Sequence, residues 1–201
     1  MKQPDAPSLD VSRETELRLR AYMRLLLDWN AKINLIAAAP EEEVWHRHIL
    51  DSWQLLPLLP PGPLADLGSG GGLPGLVVAI GRTEETHLVE SDRRKSAFLM
   101  EASRALGLGH VRVHPARIEA AKLPRIEVVT ARALAPLTDL LGIAVRTLAP
   151  SGVAIFPKGR NAEMELTAAA PHWLMRTERF QSRTDAQATI LRLSEIRPAG
   201  V

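Results

Sequence analysis

The 201-residue chain contains no cysteine, so it can form no disulfide, no thiolate zinc site and no cysteine nucleophile. It also lacks any apolar run near the 18 or so residues that a spanning helix requires. Residues 1–10, M-K-Q-P-D-A-P-S-L-D, have no apolar core, so neither a secretory signal nor a membrane anchor is expected. A cytoplasmic location is the simplest expectation. A dominant charge is missing too: 25 Lys and Arg against 23 Asp and Glu leave a net +2, too weak a field to argue for nucleic-acid binding from the whole molecule. Any such surface has to be local. Arginine outnumbers lysine 20 to 5, which suits forked phosphate contacts, although a genomic compositional bias produces the same ratio. There is no internal repeat or low-complexity block, and the length suits one well-buried domain with an appendage.

What the chain does have is a glycine loop. Residues 64–75, L-A-D-L-G-S-G-G-G-L-P-G, run a short apolar strand into Gly68, Gly70 and Gly72, which can take positive φ and let a ligand approach the backbone. Pro74 stands where the first turn of a helix would begin. This is a nucleotide-type cofactor loop, but Gly70, Gly72 and Gly75 also fit the dinucleotide spacing, with Glu90 about 20 residues on. An acid there can accept from both ribose hydroxyls, in either kind of cofactor. Asp66, two residues before the first glycine, has two readings: it faces a cationic group on the ligand, or it bonds loop amides and orients the loop.

Downstream of a polar, proline-bearing tail ending near Leu9 and Asp10, Leu19, Tyr22, Leu26, Trp29, Ile33 and Ile36 recur at steps of three and four, one face of an amphipathic helix. A second helix is expected after Pro40, where three glutamates favour the N-terminal dipole and Trp45, Ile49, Trp53 and Leu56 share a stripe. The two helices make an N-terminal cap over residues 1–60. Prolines from 57 to 63 break the helix and deliver the chain into the glycine-loop strand. Strands at 64–67, 86–90, 110–114, 127–130 and 153–156 alternate with helices after Pro74, across 98–106 and from 136 to 148, the pattern of a parallel sheet. Residues 149–152 are expected to end the last of these helices as a loop. After a helix around 162–170, segments 177–181 and 189–196 are expected to pair as an antiparallel hairpin at a sheet edge.

Taken in order, D-W-N-A-K-I-N-L-I at 28–36, R-H-I-L-D-S at 47–52, D-L-G-S-G-G-G-L-P-G at 66–75, L-V-E-S at 88–91, A-R-A-L at 131–134 and K-G at 158–159 resemble the RsmG (GidB) family. Each motif alone is weak; the ordered set, spanning about residue 20 to 195, is specific. Members are S-adenosyl-L-methionine-dependent methyltransferases that modify guanine N7 in small-subunit (16S) ribosomal RNA. The resemblance implies an α/β, Rossmann-like class I methyltransferase fold, with a seven-stranded mainly parallel sheet over residues 61–201 beneath the N-terminal helical cap. It implies S-adenosyl-L-methionine as cofactor and the ribosomal RNA or small ribosomal subunit as partner; a monomer with neither metal nor membrane is expected. Two departures stand out. Ile36 replaces the usual threonine, losing a hydroxyl, and Glu90 replaces the usual aspartate, moving a carboxylate out by one methylene.

By this resemblance Asp66, Gly68, Gly70, Gly72, Leu73, Glu90, Ile118, Glu119 and Arg132 surround the cofactor, with Ile118 and Glu119 against the adenine. Arg132 follows the fourth strand, where open α/β sheets place ligands; its partner is a loop carboxylate or an RNA phosphate. Substrate contacts are expected from Asn34, Arg47, His48 and Lys158. Arg47 and His48 could meet RNA phosphate or the acceptor guanine, while Asn34 and Asp51 could fix the cap against the cofactor loop. Arg47 and Asp51, four apart, read as an ion pair, and a packed histidine beside a surface pair is the plainer alternative. Lys158 lies just past the fifth strand, with Arg160 adjacent.

Absences also bear on the reaction. Cytosine C5 methylation calls for a cysteine nucleophile, and exocyclic amino methylation for an Asn/Asp-Pro-Pro-aromatic loop; the chain has neither. Guanine N7 needs only its lone pair, so no catalytic acid or base is assigned. The rival expectations are a nicotinamide oxidoreductase and a non-enzymatic ribosome-assembly factor on the same fold.

Overall fold

The computed structural model describes residues 11–200, so the tail expected to end near Leu9 and Asp10 lies outside the described residues. Helix α1 (Arg13–Asn30) starts where the Ser12 side chain accepts from the Thr15 amide and carries Glu14 and Glu16 in its first turn. It buries Leu19, Tyr22 and Leu26 but stops at Asn30 instead of running on to Ile36. There the Asn30 Oδ1 accepts from the Leu35 and Ile36 amides at 2.8 and 3.0 Å, and the turn so formed delivers Ile33 and Ile36 to the core from a loop. Helix α2 (Glu41–Val44) begins after Pro40 as expected. It passes into a π-helical segment (Trp45–Leu50), then into α3 (Asp51–Trp53).

The strands are β1 (Leu64–Leu67), β2 (Thr86–Val89), β3 (Val111–His114), β4 (Ile126–Thr130), β5 (Leu148–Lys158), β6 (Trp173–Gln181) and β7 (Thr189–Pro198). Between them lie α4 (Gly75–Ile80), α5 (Arg93–Ala105), α6 (Leu137–Thr147) and α7 (Ala162–Ala169). They form one sheet in the order β3-β2-β1-β4-β5-β7-β6, parallel except for β7, which is antiparallel to both β5 and β6. The expected hairpin is therefore present. Residues 149–152, expected as a loop, instead belong to β5. The β4–β5 register jumps from Ile126 opposite Leu148 to Val128 opposite Val153, and this bulge takes up Pro150, which has no amide to give a ladder.

Strand alternation divides the core between two faces. Leu88 joins Leu19, Tyr22, Ile49, Leu76 and Phe98 beneath α1, α4 and α5, whereas the next residue, Val89, joins Leu141, Phe156 and Leu166 on the α6–α7 face. The cap thus shares one core with the sheet. Parallel pairing brings the C-terminal ends of β1, β2, β3 and β4 to one edge, and the β1–β4 register sets Asp66 opposite Thr130.

Candidate functional site

At the end of β1 the chain turns through Gly68, Gly70 and Gly72 at φ +66°, +53° and +82°, a left-handed conformation that side chains resist. A Cβ on Gly70 would meet nothing nearer than the Gly68 carbonyl at 3.8 Å, so this part of the loop presents an uncrowded face. Three side chains hold the loop. Asp66, 1% exposed, accepts from the Thr130 hydroxyl at 2.8 Å and from the Gly75 amide at 3.2 Å. Burial pushes its pKa up to about 6 against those hydrogen bonds. These bonds give Asp66 the loop-orienting role. Glu90, at the end of β2, accepts from the Gly70 and Asp92 amides, both at 2.8 Å. From α1, the buried Tyr22 hydroxyl donates to the Gly71 carbonyl, and burial raises its pKa far above the ordinary phenol value.

Leu73 is buried in the core with its amide on the Ser69 carbonyl, so its side chain supports the loop from behind. Ile118 and Glu119 form a short 3-10 turn beyond β3, Ile118 half-buried and Glu119 exposed. These residues fit a nucleoside cofactor. The open face at Gly70 and the Glu90 carboxylate suit a ribose, and Ile118 offers an apolar surface at the same sheet edge. Two carboxylates around the loop favour a cationic over a pyrophosphate-bearing ligand.

Next to this loop lies a cleft of about 400 Å³, lined by Arg47, His48, Asp51, Arg132 and Lys158 together with the β6–β7 connection. The chain after β4 divides the two: Leu134 packs toward Gly68, while Arg132, Ala133 and Ala135 face the cleft. Ala133 is held at φ +52°, a strained conformation kept by its surroundings. Arg132 donates to His48 Nδ1 at 3.1 Å and to the Arg47 carbonyl at 3.3 Å, and lies 3.7 Å from the Asp51 carboxylate. Expected at the cofactor, it also links sheet edge to cap, and its charge acts on Asp66 and Tyr22.

The expected Arg47–Asp51 ion pair does not form. Arg47 lies within the π-helical segment and Asp51 directly follows it, and each takes another partner. Arg47 pairs with Glu43 instead, at 2.6 Å. Asp51 accepts from Thr184 and Gln54 at 2.7 and 2.8 Å, fixing the cap to the β6–β7 connection and not to the cofactor loop. Lys158, its side chain 10% exposed, donates to Glu165 at 2.7 Å and to the Ala135 carbonyl at 3.3 Å. Asn34 is exposed beside Leu35 and outside the cleft lining. Burial, then the charges of Arg132 and Arg47, lower the pKa of His48 to about 4. Sequence reasoning missed Tyr22, Thr130, Glu165 and Thr184 as parts of this site. Tyr22 looked like one more member of an apolar stripe, and nothing in sequence spacing marks the other three.

An all-parallel dinucleotide sheet runs 3-2-1-4-5-6. An antiparallel strand inserted before the edge, with a glycine loop held by an acid within β1 and another just past β2, defines a class I methyltransferase instead. A methyltransferase from Geobacter sulfurreducens shares this fold, with a TM-score of 0.62 at 14% identity over 94% of this chain and 92% of that one. The model of the GidB family, rRNA small subunit methyltransferase G, matches residues 15–191, and the chain belongs to that family. It is 58% identical over 208 residues to the ribosomal RNA small subunit methyltransferase G of Acidiphilium cryptum, covering 94% of this chain and 95% of that protein. It is 55% identical over 188 residues to the protein of the same name from Granulibacter bethesdensis, covering 92% and 88%.

Proposed function

We propose that this protein transfers the methyl group of S-adenosyl-L-methionine to N7 of a guanine in small-subunit (16S) ribosomal RNA, acting as a cytoplasmic monomer on the RNA or the small ribosomal subunit. One observation carries the reading: a member of the rRNA small subunit methyltransferase G family holds its strand-end glycine loop between Asp66 and Glu90. When bound, the cofactor supplies a methyl group on a sulfonium, an electrophile for a lone pair aligned behind it. The backbone of residues 68–72, Glu90 and Ile118 would hold it, with Asp66 and Tyr22 acting through the loop. Guanine N7 presents an unprotonated lone pair, so no proton has to be removed and the chain needs no general base. Its contribution is alignment and exclusion of water, worth on the order of 7–11 kcal/mol when reactants are well placed. Arg132 and Lys158 serve that alignment by fixing the loop between the glycine loop and the cleft.

The test incubates the protein and methyl-labelled S-adenosyl-L-methionine with small subunits lacking this modification, then digests the RNA and identifies the labelled nucleoside. Label in N7-methylguanosine is expected. Label in another nucleoside sinks the N7 assignment, and no label on naked RNA or subunits, despite cofactor binding, favours the assembly-factor alternative.

A further inference from the structure

His48 carries an unused hydrogen-bond donor into the cleft. Its Nδ1 faces Arg132 Nη2 at 3.1 Å. A guanidinium has only donors, so Nδ1 accepts and the ring proton resides on Nε2. Arg132 Nη1 also donates to the neighbouring Arg47 carbonyl, which holds the guanidinium against the ring. Nε2 makes no hydrogen bond among the described residues, and His48 is one of the residues that line the cleft. The Arg132 bond to Nδ1 therefore sets the tautomer of the imidazole.

Guanine presents N7 and O6 side by side as acceptors, whereas adenine places an amino donor next to its N7. With N7 committed to the methyl group, O6 is the acceptor left on that edge for a protein to read. We propose that His48 donates from Nε2 to O6 of the acceptor guanine, aligning the base for transfer at N7 and rejecting adenine, with Arg132 as the positioning residue that fixes the imidazole. The inference rests on the guanine-N7 reading above.

Charge supports the assignment. The purine becomes cationic on N7 methylation, and an imidazolium at O6 would oppose that charge. Burial, with Arg132 and Arg47 adding to it, keeps the ring neutral at physiological pH. The cations around it are balanced, Arg47 by Glu43, Arg132 by Asp51 and Lys158 by Glu165. For adenine the opposition is direct, since its amino group would meet Nε2–H donor to donor.

The test pairs protein variants with a base lacking O6. Wild type, His48→Phe and His48→Gln are assayed on small subunits carrying guanine or 2-aminopurine, which keeps N7 but lacks O6, at the mapped position. Single-turnover transfer is measured, along with calorimetric binding of S-adenosylhomocysteine. On guanine, His48→Phe is expected to slow transfer about ten- to a hundredfold. His48→Gln recovers most of the rate, because Arg132 can donate to its amide oxygen and leave the amide nitrogen toward the base. S-adenosylhomocysteine affinity stays the same in all three proteins. Wild type on 2-aminopurine loses a similar factor, and His48→Phe loses nothing further, the non-additivity of a direct contact. Equal, independent losses on both bases overturn the proposal, as does equal impairment of the Phe and Gln variants. Should His48→Phe not fold, His48→Ala takes its place in the cycle, with the same outcomes expected. Wild-type label outside N7-methylguanosine overturns both this inference and the proposed function, and shows before any variant is compared.

Discussion

Asp66 concentrates the site's energetics in one side chain. Its carboxylate is nearly sealed, accepts from Thr130 and Gly75, and holds a pKa of about 6. The folded protein therefore binds this proton more tightly than the unfolded chain. The resulting stability is complete below the ordinary carboxylate range and is lost as pH rises through about 6. Asp66→Asn should remove that component, so the stability difference between variant and wild type, followed by urea unfolding, should shift across pH 4 to 6 and level off above it. Thr130→Val leaves one buried carboxylate oxygen without its donor and should cost about 1–3 kcal/mol in the same assay. Gly75 shows how tight the arrangement is: a Cβ there would stand 2.6 Å from an Asp66 oxygen.

Among the elements, two side chains end or begin a segment by reaching across it. Asn30 closes the turn after α1, and Leu35 within that turn lies 3.5 Å from where a Cβ on Gly71 would be. Asn30→Ala should destabilise the fold by about 1–2 kcal/mol through two orphaned amides. It should also weaken S-adenosylhomocysteine binding, measured by calorimetry, since the loop loses a neighbour. Glu165 in α7 accepts from both Lys158 and the Leu137 amide at the start of α6. Glu165→Gln strips the charge partner from a lysine that is largely buried, so a loss of about 1–3 kcal/mol is expected in thermal unfolding. Around the π-helical segment, Arg47 pairs back to Glu43 in α2 and Asp51 accepts from Thr184 in the β6–β7 connection.

At the scale of the whole molecule, cap, sheet and β6–β7 connection close on one edge, so a ligand at that edge should stabilise the entire fold. S-adenosylhomocysteine at about 100 times its Kd should add about 2.7 kcal/mol, seen as a raised Tm, whereas NAD should add nothing. An equal shift with NAD would reverse the choice between the two cofactor classes. The sequence by itself determined the strand and helix alternation, the glycine loop, the edge hairpin and the ordered motifs of the family, because periodicity, glycine and proline act locally. It did not show that α1 stops at Asn30, that residues 149–152 extend β5 through a bulge, or that Arg47 turns away from Asp51. Each depends on which of several available partners the folded chain supplies, which spacing alone does not reveal. The same holds for Tyr22 at Gly71, Thr130 at Asp66 and Arg132 at His48, which are separated by 49, 64 and 84 residues. Only the tertiary structure decided these contacts, since strand register and helix packing, not local propensity, choose which buried polar groups must satisfy one another.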